Sequence, residues 1–141
     1  MDPVAPPREI RLTEEQWEAM RVVVARAAPE EACGVLAGEQ GRVRKVFPLE
    51  NILHSPARFE TDPADLLRVF HRLLEEGLEL TAVYHSHPTG PPHPSTADRR
   101  ESNYPNSAQL IWYPTAAGWD CSAFLIGGGG YSKINLVREN P

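Results

Sequence analysis

The motif His85-Ser86-His87-Pro88 and its flanking residues restrict the fold more than any other part of the chain. A β-favouring run, Leu-Thr-Ala-Val-Tyr, leads directly into the motif. Three prolines within residues 90–94 follow it and preclude regular structure there. Side chains two positions apart on a strand share a face, which places His85 and His87 about 6–7 Å apart along one face. The pattern predicts a strand that ends in two convergent imidazoles, followed by a loop.

Two helices are marked by signals at their ends. The first is predicted over residues 13–28, because Thr13 and Gln16 can form a capping box. The second is predicted to begin after Asp62, an N-cap residue, and to end at Gly77. Its predicted buried stripe consists of Leu66, Leu67, Phe70, Leu73 and Leu74.

Short β-favouring runs and one further helix complete the pattern. Strands are predicted at residues 32–37, 41–48, 80–84, 108–113, 121–126 and 131–137, with a turn over residues 127–130 and a short helix from Ser95. The resulting order, α-β-β-α-β-α-β-β-β, predicts an α/β fold in which a mixed sheet is flanked by helices. At 141 residues, the chain is expected to form one domain over residues 1–141.

Charge and cysteine content exclude several classes of function. The net charge is −5 and no long basic run occurs, so no nucleic-acid partner is expected. The apolar runs are too short to cross a bilayer, and residues 1–7 lack the pattern of a signal peptide. A cytoplasmic location is expected from the lack of that pattern, and in that compartment Cys33 and Cys121, which lie far apart and form no Cys-x-x-Cys pair, are expected to be free thiols. Oligomeric state has no signal in the sequence.

The histidine motif offers ligands for a metal ion. His85, His87 and Asp98 supply two imidazoles and one carboxylate, which leaves the fourth position of a tetrahedral zinc site open. Catalytic zinc sites keep such an open position, whereas structural sites do not. An alternative needs no metal, because Ser95 and Asp98 also have the spacing of a helix capping box.

The sequence resembles a known family, the JAMM or MPN+ zinc metalloproteases. Their motif is His-x-His, seven residues, then Ser-x-x-Asp, and it is matched by His85, His87, Ser95 and Asp98. The resemblance implies an MPN-type, cytidine-deaminase-like fold.

The family also has an upstream glutamate in the context Glu-x-x-Gly-hydrophobic-hydrophobic-x-Gly. Glu31, Gly34 and Gly38 match that context, with Glu30 one position out of register. The resemblance extends over residues 12–137, which would be the core of the catalytic domain. Without the two glycines, a solvated charge would be the better interpretation of Glu31.

The resemblance implies a role for each matched residue. His85, His87 and Asp98 would bind one zinc ion, with water in the fourth place. Glu31 would be the general base that accepts the proton of that water and delivers it to the leaving amine. Ser95 would donate a hydrogen bond to the developing oxyanion. A nucleophilic Cys33 is a rival mechanism, although free cysteines are more often packing residues.

The implied reaction is hydrolysis of a peptide or isopeptide bond after the C-terminal Gly-Gly of a ubiquitin-like or sulfur-carrier protein. Two alternatives stay open: a zinc hydrolase of small amides or unrelated peptides, and a non-catalytic MPN interaction domain. DNA-repair-associated relatives usually have His-Asn-His-Pro, which disfavours that class. His54 and His93 receive no assigned role.

Overall fold

The computed structural model describes residues 6–100, 107–127 and 129–140, and within them the chain forms seven strands and three helices. In chain order these are β1 Glu9–Thr13, α1 Glu14–Ala27, β2 Cys33–Glu39, β3 Arg42–Leu49, α2 Pro63–Glu76, β4 Glu79–Ser86, α3 Thr96–Arg100, β5 Ala108–Thr115, β6 Gly118–Gly127 and β7 Gly130–Glu139. Most of residues 1–7, and Gly128 in the predicted 127–130 turn, lie outside the described residues. No helix in the described ranges has the length and apolar character needed to span a bilayer.

The two long helices begin and end where their sequence signals predict. At α1, the Gln16 N–H donates to Thr13 Oγ1 over 3.0 Å, and the Thr13 N–H donates to Gln16 Oε1 over 2.9 Å. At α2, the Ala64 N–H donates to the Asp62 side chain, and Gly77 closes the helix with φ of 66°. These signals are local, so tertiary packing does not override them.

The predicted buried stripe of α2 is only partly correct. Leu73 is buried and Leu66 and Phe70 are partly buried, but Leu67 and Leu74 are 58% and 82% exposed. Val69, absent from the predicted stripe, is buried instead. Leucines lie around more than one side of this helix, so their spacing alone could not identify the side that packs against the sheet.

A strand missing from the predicted order joins the two ends of the sheet. β1 pairs in parallel with β7 over five positions and contacts β3 at the single pair Arg11 and Arg42. The sheet therefore closes in the order β1-β3-β2-β4-β5-β6-β7 rather than remaining an open layer. β1 is only five residues long, and its partner β7 lies at the other end of the chain, so local patterning gave too weak a signal.

The two faces of the sheet pack against different helices. Trp17, Met20 and Val24 of α1 belong to the larger core cluster, together with alternate residues of most strands. Val69 and Leu73 of α2 pack in a separate cluster against the opposite face. On β4, Ala82 and Tyr84 belong to the α1 side, so the alternation of a strand turns His85 towards the α2 side.

Candidate metal centre

Two imidazoles meet at the carboxyl end of β4. His85 lies on the strand and His87 directly follows it, held to β5 by a 2.8 Å hydrogen bond from its N–H to the Trp112 carbonyl. Both side chains are buried, and their Nε2 atoms are 3.0 Å apart. The predicted convergence of these two side chains is what the structure shows.

Asp98 approaches the same point from α3. Its Oδ1 lies 3.1 Å from His85 Nε2, and its Oδ2 lies 3.1 Å from His87 Nε2. Burial by itself would raise the pKa of Asp98, but hydrogen bonds from the two imidazoles hold that pKa well below its usual range. The carboxylate is therefore ionised at neutral pH.

The sequence pattern left two interpretations open for Ser95 and Asp98, a helix cap or a metal ligand at Asp98. The structure contains the cap, and Asp98 is still in a position to bind a metal ion. The Asp98 N–H donates to Ser95 Oγ over 3.1 Å, while the Ser95 N–H donates to Asp98 Oδ2 over 2.8 Å. Asp98 Oδ2 thus faces both the cap and His87. The cap orients the carboxylate towards the imidazoles.

The donor set fits a metal ion. Ligand atoms about 2.0–2.1 Å from a tetrahedral zinc ion lie about 3.3 Å from one another, close to the spacing seen here. Lone pairs on two nitrogens and a carboxylate at such short range repel one another unless a cation or a shared proton lies between them. The Nδ1–H of His87 donates to the Pro91 carbonyl over 2.7 Å, so the Nε2 of the neutral ring would present its lone pair to a metal ion. The proline-rich loop thereby fixes the tautomer of His87.

His85 is held differently from His87. Its Nδ1 is buried and has no hydrogen-bond partner among the described residues. The ring of Phe59 stacks on its imidazole, with centroids 4.6 Å apart and an interplanar angle of 26°. Burial lowers the pKa of His85, which favours the neutral ring that a metal requires.

Glu31 lies beside these donors, two residues before β2 begins. Its carboxylate forms a group with His85 and His87 in which the ligand atoms lie within 4.8 Å of one another. Burial raises the pKa of Glu31 to about 7, and the charge of Asp98 adds to the rise against an opposing contribution from His87. Glu30, its neighbour, instead contacts His54 at 3.2 Å and is partly exposed.

Ser86, the middle residue of the motif, connects the two segments that carry Glu31 and the histidines. Its Oγ accepts the Ala32 N–H over 2.8 Å, and its own N–H donates to the Ala32 carbonyl over 3.0 Å. These two bonds fix the residue after Glu31 to the residue between His85 and His87. Ser86 therefore has a geometric role.

The two motif glycines have packing roles. A Cβ atom on Gly34 would lie 2.3 Å from a ring atom of the buried Tyr84. A Cβ atom on Gly38 would lie 1.8 Å from the Arg42 carbonyl oxygen, at an irregularity in the pairing of β2 with β3. Both glycines permit β2 to pack closely against its neighbours.

The remaining candidates do not belong to the donor set. Cys33 is buried opposite His85 on the neighbouring strand, and burial raises its pKa to about 12, so its thiol is protonated at neutral pH. His54 lies between Glu30 and Glu50, and His93 stacks on Tyr131 with centroids 5.8 Å apart.

Two residues at the centre have no sequence signal. Phe59 stacks on His85, and Asn51 donates to the Glu31 carbonyl over 3.0 Å. Both belong to the connection between β3 and α2, a segment without regular periodicity. Their contacts are visible only in three dimensions.

A cleft of about 410 Å³ adjoins the centre on the α2 side. Its lining includes Val35 and Val83 of the sheet and Phe59 of the connection, with His85 and Asp98 also on its surface. The cleft therefore reaches two of the three donors, His85 and Asp98.

Comparison with known proteins identifies relatives over most of the chain. The family model for prokaryotic homologs of the JAB domain, Prok-JAB, matches residues 13–129. A Thermus thermophilus protein described as a probable TtuB-protein conjugate cleaving protease is 42% identical over 62% of this chain and 59% of its own length. A Mycobacterium tuberculosis CysO-cysteine peptidase is 36% identical over 66% of this chain and 65% of its own. The chain thus spans less than two thirds of either relative.

A solved structure shows the same fold. The solution structure of a Desulfitobacterium hafniense protein superimposes with a TM-score of 0.84 at 32% identity, covering 94% of each chain. The predicted α/β fold is confirmed, with the closure through β1 as the added feature.

Proposed function

The chain belongs to the family of prokaryotic homologs of the JAB domain, and from this membership we propose that it is a zinc-dependent peptidase. Its proposed substrates are peptide or isopeptide bonds after the C-terminal Gly-Gly of a ubiquitin-like or sulfur-carrier protein. The observation that carries the proposal is the convergence of His85, His87 and Asp98, with pairs of donor atoms 3.0–3.1 Å apart.

We propose zinc as the cofactor and these three residues as its ligands. Imidazole and carboxylate donors in this number suit a catalytic zinc site. When bound, zinc supplies Lewis acidity that polarises a carbonyl and lowers the pKa of water. The chain itself orients the ligands, through the Pro91 carbonyl on His87 and the Ser95 cap on Asp98.

Glu31 is the proposed general base. It lies near both imidazoles yet is not hydrogen-bonded between them as Asp98 is, which supports a role in proton transfer rather than as a ligand. Its carboxylate would take a proton from the attacking water and pass it to the leaving amine.

Ser95 is the proposed oxyanion donor. Its Oγ already accepts the Asp98 N–H, so the hydroxyl hydrogen is left to donate to a substrate. Such a donor acts on the charge that develops on the carbonyl oxygen in the transition state. Helix capping and oxyanion stabilisation are compatible here because they use different parts of one hydroxyl.

The names of the relatives support the substrate class. One is described as cleaving TtuB-protein conjugates and the other as a CysO-cysteine peptidase. Of the strands that line the cleft, β2, β4 and β5 are paired on both sides, whereas β3, which contributes Leu49, pairs with β1 only at Arg42. A tail in the cleft would therefore bond to the connection between β3 and α2, to the outer edge of β3 or to side chains.

The test is cleavage of carrier proteins with C-terminal extensions after Gly-Gly by the zinc-loaded protein, with the cut located by mass spectrometry. We expect a cut directly after Gly-Gly, and a loss of about 10²–10⁴-fold in rate for Glu31→Gln. Glu30→Gln is the matched control and should retain the rate.

Two results would overturn this proposal. Undiminished cleavage by Glu31→Gln would remove the proposed base. Rapid cleavage of short amides with every Gly-Gly fusion intact would identify the small-amide hydrolase instead.

A cytoplasmic location and one catalytic domain over residues 12–137 are part of the same proposal. The support for the location is that Cys33 and Cys121 are both free thiols, which a reducing compartment maintains. The support for the domain is the single closed sheet, in which β1 and β7 pair.

A further inference from the structure

We propose that Asn51 is a positioning residue that holds the general base in place through the main chain of Glu31. The inference rests on the proposed function for the role of Glu31. It concerns the 51–60 loop, defined as residues 51–60 in the connection between β3 and α2. Asn51 is buried, at 6% exposure, and its side chain forms the centre of this loop.

Both Nδ2 and Oδ1 of the Asn51 side chain form hydrogen bonds. Its Nδ2 donates to the carbonyls of Glu31 and Arg58 over 3.0 Å each, with a longer contact of 3.5 Å to the Ser55 carbonyl. Its Oδ1 accepts the N–H groups of Leu53 and Glu60 over 3.1 and 3.2 Å. The Oδ1 bonds and the Nδ2 bonds to Arg58 and Ser55 fold the loop upon itself, whereas the Nδ2 bond to Glu31 connects the loop to the centre.

The loop contacts the centre at two further points. The Glu31 N–H donates to the Ser55 carbonyl over 2.8 Å, so both main-chain polar groups of Glu31 bond to the loop or to its central amide. Phe59 stacks on His85 from the same loop. Glu31 precedes β2 and lacks the ladder bonds of a strand at its own position, so these loop bonds determine where its carboxylate lies.

The two ends of the Asn51 amide respond differently to substitution. Asn51→Asp keeps an oxygen for the Leu53 and Glu60 N–H groups but places a second oxygen against the carbonyls of Glu31, Arg58 and Ser55. It should keep the two Oδ1 bonds of the loop and lose all the Nδ2 bonds, including the one to Glu31. Ser55→Ala is the matched control, because it removes only the local bond from the Ala57 N–H to Ser55 Oγ.

The experiment measures kcat and KM of the zinc-loaded protein, per bound zinc, on a Gly-Gly fusion. We expect Asn51→Asp to lower kcat at least about tenfold, since small misplacements of a reacting group are costly. Ser55→Ala should change kcat less than about twofold. In the Glu31→Gln background, Asn51→Asp should have no further effect on kcat, because the two residues act as one unit.

A residue that only stabilises the fold would lower kcat equally in both backgrounds, and that result would overturn the proposal. So would an unchanged kcat in Asn51→Asp. Should Asn51→Asp fail to fold, Asn51→Ser provides a smaller side chain with one donor and one acceptor, and the same comparison applies.

Hydrogen exchange separates this proposal from the proposed function. The Glu31 amide should exchange at least about tenfold faster in Asn51→Asp than in Ser55→Ala, whether or not any fusion is cleaved. Equal exchange in the two variants would overturn the positioning role. If no preparation cleaved a fusion but the Glu31 amide still exchanged faster in Asn51→Asp, only the proposed function would be contradicted.

Discussion

Ser95 and Asp98 hydrogen-bond each other in both directions, and Asp98 faces His85 and His87 at the same time. The helix cap and the proposed ligand are therefore one structure. Substitution of either residue disturbs the other. We expect a change at Asp98 to lower mainly the zinc affinity and a change at Ser95 to lower mainly the cleavage rate.

Asp98→Asn separates charge from capping. The amide oxygen can still accept the Ser95 N–H, while the negative charge next to the imidazoles is lost. We expect zinc affinity to fall more than about 100-fold, since mutation of a group that only hydrogen-bonds a metal ligand already lowers metal affinity about 10–100-fold. Competition against a zinc-binding dye measures this, with Asp65→Asn on α2 as control, since Asp65 is partly exposed and pairs with Arg68. Unchanged affinity would remove Asp98 from the ligand set.

Ser95→Ala should show the opposite pattern. Loss of the hydroxyl removes one cap bond, at a cost of about 1 kcal/mol in the free energy of unfolding. We expect the cleavage rate to fall about 10²–10³-fold, as for other oxyanion donors, with zinc affinity changed less than about tenfold. Thr96→Ala, the exposed neighbouring hydroxyl, is the control. A rate close to wild type would restrict Ser95 to capping.

Zinc should stabilise the folded chain. His85, His87 and Asp98 form the donor cluster only when β4 and α3 are in place, so the metal binds the folded state selectively. At 100 times its dissociation constant, zinc should add about 2.7 kcal/mol to the free energy of unfolding. Thermal unfolding with and without a chelator measures the shift. His87→Ala should abolish it, whereas the exposed His71→Ala should not.

Cys33 should not act as a nucleophile. Burial raises its pKa to about 12, so the thiolate is scarce at pH 7 and increases only as the pH approaches that value. We expect iodoacetamide to react slowly with the folded protein at pH 8, and Cys33→Ala to cleave within about threefold of wild type. Mass spectrometry of labelled protein checks the first expectation. Rapid labelling accompanied by loss of activity would favour the cysteine mechanism.

Gly34→Ala should destabilise the fold. The added methyl would lie 2.3 Å from the ring of Tyr84, which is fully buried. We expect a loss of about 1–3 kcal/mol in the free energy of unfolding, measured by denaturant titration. Gly127→Ala is the matched control, because nothing lies within 4 Å of its Cβ position. Equal stability of the two variants would contradict the packing role of Gly34.

The sequence by itself predicted the features that depend on short separations along the chain. The caps of α1 and α2 were predicted at Thr13, Asp62 and Gly77 because a cap involves residues within one helical turn. The meeting of His85 and His87 followed from strand alternation in the same way. The proposed roles of these histidines rest further on the resemblance of the motif to a family.

Only the tertiary structure decided the contacts between distant segments. β1 closes the sheet by pairing with β7, and Asn51 fixes Glu31 across twenty positions. The leucines of α2 showed the same limit, since Leu67 and Leu74 proved exposed and Val69 buried. A local sequence pattern reflects the conformational preference of its residues. The contacts of those residues with distant segments depend on the packing of all elements together. For that reason the sequence predicted which groups meet at the centre, and the fold determined what holds them there.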